Sequence, residues 1–478
     1  MNVSTQLLAL TALGLVGGTA QAQTELNNFS TVARGGVATT FVTDYQAIGI
    51  NPANLGRTGN ARVALTIGEF GLGVGSQSLT RSQLEKFVKH ADDELTPADK
   101  RSLARAFTSD NVLNINVDAT PVALSVVLPV VGSFAFSSRQ RIVSHLGMNK
   151  NMAELLFLGK DAPIYPANFN SATAPLISEV LDGTQVQLAA YNEYNVAYGR
   201  NIISLPTFKL AGGVGYRYIQ GVGVIDIRAE DGKLEAYSAL SPQFKVKYGA
   251  VASNPSFNLQ KDTDKLLQPV GRGHGYDIGL AAEVGKMWRL GVSMTDIGRM
   301  TWEGNLLTAN DQKLRRLKSN GADSYEFFTE LADLFVSGTD SLLQYKPADK
   351  RRADLPTKLR AGVGLKVGTR LELGLDVTQP LNSVAGNLPN TFYGLGLDVK
   401  PLSWIRLSTG ISRGAGYGTG FPVGFAIASS FYELGFSTRD LRGILSDEKK
   451  PYGSIAMGFL RLKIGKVKNE YPNSGAAE

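Results

Sequence analysis

Cysteine is absent from the 478 residues, and histidine occurs only three times. Those gaps exclude a disulfide framework, a thiolate metal site and a lipid-modified N-terminal cysteine, and they leave little material for a metal centre. No cofactor is expected. Charged residues make up only 19% of the chain, and its +7 formal charge is spread out, with Lys350-Arg351-Arg352 the one basic run. No nucleic-acid surface is expected from such a distribution. His90, His145 and His274 fall in no hydrolase motif, so the chain does not read as an enzyme. Gly271-Arg272-Gly273-His274-Gly275 lacks the helix that a phosphate cradle needs after it. Beyond the N-terminus no apolar run reaches the about 20 residues of a transmembrane helix. What the sequence does hold is 53 glycines and 9% aromatic residues, the composition of strands and turns.

Residues 1–22 carry no charged side chain, with an apolar stretch from Leu7 to Val16 and Ala20-Gln21-Ala22 ahead of Gln23. This predicts a secretory signal cleaved after Ala22, although the usual basic start is missing; an N-terminal membrane anchor is the other reading.

Downstream, apolar and small or polar residues alternate. Leu359, Ala361, Val363, Leu365 and Val367 share one face, against Lys358, Arg360, Gly362, Gly364 and Lys366 on the other. Leu371, Leu373, Leu375 and Val377 oppose Glu372, Gly374, Asp376 and Thr378, and the pattern recurs over 276–285 and in Ile405, Leu407 and Ile411 against Arg406, Ser408 and Gly410. A membrane strand needs this arrangement, with one face on lipid and one on a lumen, but a soluble sandwich alternates too. Turn placement separates them. Very short links such as Val367-Gly368-Thr369 and Pro401-Leu402-Ser403 alternate with long polar connections, as in outer-membrane barrels. The expected fold is therefore an all-β membrane protein, a barrel of about fourteen antiparallel strands. Their approximate ranges are 62–78, 111–128, 132–144, 185–200, 207–224, 272–286, 288–304, 354–367, 369–379, 390–400, 404–413, 420–428, 431–439 and 452–465. Trp288, Trp302 and Trp404 are placed in the membrane belts, or alternatively in an ordinary core.

Some strands change phase. Val63, Leu65 and Ile67 keep one parity and Phe70, Leu72 and Val74 the other, predicting a bulge near Gly68-Glu69. Pro121 interrupts the second strand, making Gly68 and Pro121 a candidate lateral opening or simply a bend. Lumen-facing charges, including Lys358, Arg360, Lys366, Glu372, Asp376, Arg406, Arg461 and Lys463, read mainly as structural ion pairs.

Three connections are not strands. Residues 81–107 read as a helix pair, with Thr96-Pro97-Ala98-Asp99 starting the second. Residues 324–344 place Phe327, Phe328, Leu331, Leu334 and Phe335 at helical spacing. Their apolar faces either pack on one another or capture a greasy ligand. A third bulky loop spans 146–184, and Val224 to Tyr237 form a projecting hairpin around Glu230-Asp231-Gly232-Lys233.

Ahead of the first strand stand Asn28-Phe29-Ser30, Ala33-Arg34-Gly35-Gly36-Val37-Ala38 and Asp44-Tyr45-Gln46-Ala47-Ile48-Gly49-Ile50-Asn51-Pro52-Ala53-Asn54-Leu55. This stretch resembles the N-terminal hatch of FadL-type hydrophobic-compound transporters and of PorV-like accessories of type IX secretion. Tyr276-Asp277-Ile278-Gly279 and the run from Trp288 through Gly291-Val292-Ser293-Met294-Thr295-Asp296-Ile297-Gly298 to Trp302 resemble an uncharacterised Bacteroidota barrel family. The resemblance implies a signal peptide over 1–22, a plug over 23–60 centred on Asn51, Pro52 and Ala53, a barrel over 61–466 and a periplasmic tail over 467–478. It also implies a cell outer-membrane location, a monomeric barrel in contact with outer-membrane lipid, and passage of a hydrophobic small molecule such as a fatty acid or an aromatic. The alternative is a docking barrel for a secretion-system protein. The chain departs from the transporters at its end, where a polar tail follows Ile464-Gly465 in place of a terminal aromatic residue.

Overall fold

The structure, a computed structural model, describes residues 28–466 except 58, 91–92, 108–111, 262–267, 326–329, 332–333, 336–340, 385, 389, 416 and 443–451. The expected signal peptide and C-terminal tail lie outside the described residues.

Fourteen antiparallel strands form one closed wall. They are β1 (Ala61–Ser76), β2 (Val112–Leu128), β3 (Gly132–Gly147), β4 (Thr184–Ser204), β5 (Phe208–Glu230), β6 (Gly271–Val284) and β7 (Trp288–Trp302). β8 runs as Arg351–Asp354 and Lys358–Val367, followed by β9 (Leu371–Pro380), β10 (Phe392–Leu402) and β11 (Ile405–Gly414). β12 is likewise split, Tyr417–Gly420 and Val423–Ala428, ahead of β13 (Tyr432–Thr438) and β14 (Tyr452–Lys466). Closure is made by β14 on β1, from Lys466 opposite Ala61 to Tyr452 opposite Gly75. Among the described residues each of the fourteen strands pairs with both of its neighbours, as a sheet in lipid requires.

Six links of two or three residues join the strands at one end, and most connections at the other are long. The faces alternate as the residues dictate. Ile278, Leu280, Leu290, Val292, Leu375 and Leu395 are exposed to the outside, while Asp277, Ser293 and Asp376 are buried toward the lumen. An apolar belt of this extent is incompatible with a water-facing sandwich. Among the described residues no helix is long and apolar enough to cross a membrane.

Trp288 and Trp404 stand exposed at the short-turn end, but Trp302 is 1% exposed and packs beside Tyr191. The belt placement of Trp302 is thereby corrected. β7 carries one extra residue between Met294 and Ile297, with Asp296 at φ +58°, and this bulge turns Trp302 from the lipid face to the interior.

The long connections fold into an apolar core of their own above the wall. Helices Arg81–Lys89, Pro97–Ala106 and Lys150–Leu158 contribute to it. Thr96 caps the second, its Oγ1 accepting from the Asp99 N–H at 3.2 Å. The expected hairpin is present: Glu230 pairs with Lys233, with Asp231 and Gly232 both at positive φ. Its second strand, Lys233–Leu240, continues through Leu306–Ala309 to Tyr345–Pro347, extending the sheet beyond the wall.

Candidate functional site

Residues 28–57 lie in the lumen from mid-wall toward the short-turn end, and the wall's inward glycines make this possible. A Cβ added at Gly213 would overlap the Pro52–Ala53 peptide, one at Gly279 would overlap Asn51, and one at Gly435 would overlap the Phe29 ring. The inward face is small because the N-terminal backbone lies directly on it.

Hydrogen bonds fix the Asn51-Pro52-Ala53 turn. Asn51 Oδ1 accepts from the Ala53 N–H at 3.1 Å, and its Nδ2 donates to the Leu280 carbonyl on β6 at 3.1 Å. Ser293 of β7 donates to the Ile50 carbonyl at 2.5 Å. Arg57 donates to the Thr40 carbonyl at 2.6 Å and pairs with Glu283 at 3.2 Å.

Inward charges of the wall meet those of the segment. Asp376 accepts from the Ala38 and Thr39 N–H groups, both at 2.7 Å. Arg34 pairs with Asp398 at 2.8 Å. Arg461 bridges Asp44 at 2.5 Å and Glu433 at 3.0 Å, and Glu433 also meets Arg406 and Lys463. Arg406 further donates to Ser30 Oγ at 2.7 Å. Arg360 and Lys358 are buried on the same inward face. Glu372 lies nearer the short turns, 3.4 Å from Arg289 and 3.9 Å from Lys366. Strand parity identifies one side of most of these pairs; Asp44 and Arg34 enter only as members of the hatch stretch, and Glu433 and Asp398 are not singled out. Glu433's odd parity in its strand was the available signal.

A second cluster joins the two Asp-Ile-Gly stretches. Arg217 of β5 lies 3.3 Å from Asp277 and 2.5 Å from Asp296, and 3.3 Å from Glu193 of β4. Asp277 also accepts from the Asp296 N–H at 2.9 Å. The sequence pairs neither aspartate with Arg217, because that contact exists only once β5, β6 and β7 stand side by side.

Gly68 and Pro121 face each other across β1 and β2, between the pairs Ile67–Val122 and Glu69–Thr120. β2 gains one residue on β3 between Ala119 and Val122, and β14 gains one on β13 between Arg461 and Gly458. β14, β1 and β2 are in step with one another, so all three switch faces at one level. The β1–β14 ladder skips from Thr66–Arg461 to Glu69–Gly458, and Thr66 Oγ1 donates to the Leu460 carbonyl at 2.8 Å. Behind this seam, Glu69 accepts from Tyr45 at 2.7 Å and from Gln46 at 3.1 Å. A cavity of about 30 Å³ adjoins them. The pairing resumes on both sides, so the wall is bulged here and not open.

Leu331 and Phe335 are buried in the loop core, packed with its other helices instead of lining a groove. Phe327 and Phe328 lie outside the described residues. A cavity of about 680 Å³ lies at the long-loop end, between β2–β5 and described residues of the link from β9 to β10, among them Leu381, Asn382 and Asn387.

A family model described as "Family of unknown function (DUF5723)" matches residues 52–433. No curated protein matches the sequence. Among solved structures, the Pseudomonas putida toluene transporter TodX aligns over 94% of this chain and 100% of its own, at 11% identity and TM-score 0.42. A Pseudomonas aeruginosa FadL homologue aligns over 94% of this chain and 99% of its own, at 12% identity and TM-score 0.42.

Proposed function

Since the chain belongs to the family of unknown function DUF5723, we propose from its geometry a plugged outer-membrane barrel that passes a hydrophobic small molecule. Residues 28–60 are its plug, and release is sideways at the β14–β1–β2 seam. One observation carries this reading: three adjacent strands switch faces at one level, directly over the plug residues Tyr45 and Gln46. A shift of the plug there would remove the partners of Glu69 and loosen the wall where its ladder is already interrupted. The short turns then face the periplasm and the loop core the outside, the usual orientation of such barrels.

A second reading, a docking barrel for a secretion or surface-assembly partner, draws support from the lumen itself. Among the described residues the plug is held by buried ion pairs, and the cavity at the long-loop end is bordered by many polar side chains. Docking needs no tunnel.

The cysteine-free chain permits a clean test. A Cβ on Gly364 lies 3.4 Å from the Thr40 Cβ, close to the about 3.5–4.5 Å of a disulfide. Cells carrying Thr40→Cys/Gly364→Cys are expected to take up radiolabelled oleate or toluene only when the bond is reduced. Uptake no greater than in cells lacking the barrel would discard passage and leave docking.

A further inference from the structure

The large cavity at the long-loop end has a mixed lining in which carboxamides alternate with apolar side chains. Eight carboxamides border it: Asn114, Asn116, Gln185, Gln187, Gln379, Asn382, Asn387 and Asn390. Four inward polar residues stand in one row across the wall, Asn114 opposite His145, His145 opposite Gln187, and Gln187 opposite Asp226. The row is internally organised, with Asn114 Oδ1 and His145 Nδ1 2.7 Å apart.

Charge is cancelled within the site. Arg228 forks onto Asp226 at 2.9 and 2.8 Å and also reaches the Ser383 carbonyl at 3.3 Å. The remaining charged liner, Glu230, is exposed at the rim. Two of the liners are themselves pinned, Asn387 donating to the Thr357 carbonyl at 3.1 Å and Asn382 to the Leu355 carbonyl at 2.7 Å. The chamber is therefore held open by its own hydrogen bonds.

We infer that this cavity binds an uncharged, hydroxyl-rich small molecule, a short oligosaccharide. A carboxamide both donates and accepts, which matches hydroxyl groups and gives no preference for either charge sign. Covering such groups with hydrocarbon would leave unpaired every buried donor or acceptor that the protein does not itself satisfy, at about 1–3 kcal/mol apiece. An anion would meet a guanidinium already neutralised by Asp226. A peptide could not add here as a further strand, because the strands that line the chamber are paired on both sides. Val112, Val143, Leu381, Val384 and Leu388 supply apolar patches for the C–H faces of sugar rings. The volume of about 680 Å³ lies within the usual range of ligand pockets.

The test is calorimetric titration of the full-length protein in detergent with maltotriose, diacetylchitobiose and sucrose, with oleate and a neutral hexapeptide in parallel. At least one sugar is expected to bind saturably, and Gln187→Leu or Asn116→Leu to weaken it at least about tenfold, or 1.4 kcal/mol. A Ser383→Cys variant reads the same event without disturbing the row: the sugar should slow its maleimide labelling. Absence of heat and of labelling protection with all three sugars overturns the inference, as does saturable binding of the peptide or oleate in their place. Hydrocarbon uptake through the locked barrel is a separate readout, so either idea can fail alone.

Discussion

At the scale of single residues, the lumen is organised by a few side chains with several partners each. Glu433 faces Arg406, Arg461 and Lys463 with no exposure to solvent. Glu433→Gln removes the one carboxylate that all three cations share, leaving Arg461 with Asp44 and Arg406 with the more distant Asp398, and the cost of breaking a buried pair, about 3–5 kcal/mol, should appear as a lowered denaturation midpoint. Asn51→Ala loses both an N-cap and the bond to the Leu280 carbonyl, so the turn should weaken by about 1–2 kcal/mol and residues 28–60 should become more sensitive to protease. Gly213→Val places a branched side chain where the Pro52–Ala53 peptide lies, and it should displace the turn more completely than Asn51→Ala in the same assay.

At the scale of elements, the seam and the loop helices make separate predictions. Around Gly68 the β1–β14 ladder omits Ile67, Gly68, Phe459 and Leu460. Their amides should exchange with deuterium faster than those at equal depth in β9 and β10, where the ladder is continuous. Equal protection would mean that the bulge is rigid and would weaken its role as an exit. In the loops, Lys86 Nζ lies 2.8 Å from Asp99, and Thr96 also donates to that carboxylate at 2.6 Å. Those hydrogen bonds, Lys86 first, pull the Asp99 pKa down to about 2. A depressed carboxylate stabilises the fold above its ordinary pKa of about 4 and loses that contribution as pH falls toward 2. The helix Pro97–Ala106 should hold its exchange protection down to about pH 4, then lose part of it, and Asp99→Asn should abolish that step. The change should be small, since both partners are partly in water.

At the scale of the molecule, barrel closure and lumen filling are separable. The wall closes through β14 on β1, so deleting residues 28–60 should leave a folded barrel with a wider lumen. Planar-bilayer conductance should rise well above that of the intact protein. An unchanged conductance would mean that some other part of the chain seals the barrel.

Much of this was legible in the sequence, for a physical reason. Lipid outside and a packed lumen inside impose a period of two on every strand, so the face of Leu375 or Asp376 follows from parity, and short turns mark one end. The break at Gly68 and the obstruction at Pro121 were legible because each disturbs that period. What parity cannot supply is which strands stand together. The meeting of Gly68 with Pro121, the convergence of Asp277 and Asp296 on Arg217, and the amide row from Asn114 to Gln187 all depend on register between strands distant in sequence. Trp302 marks the limit: one left-handed residue, Asp296, inverted its face. Local alternation determined the wall, and cross-strand register decided the chemistry that the wall encloses.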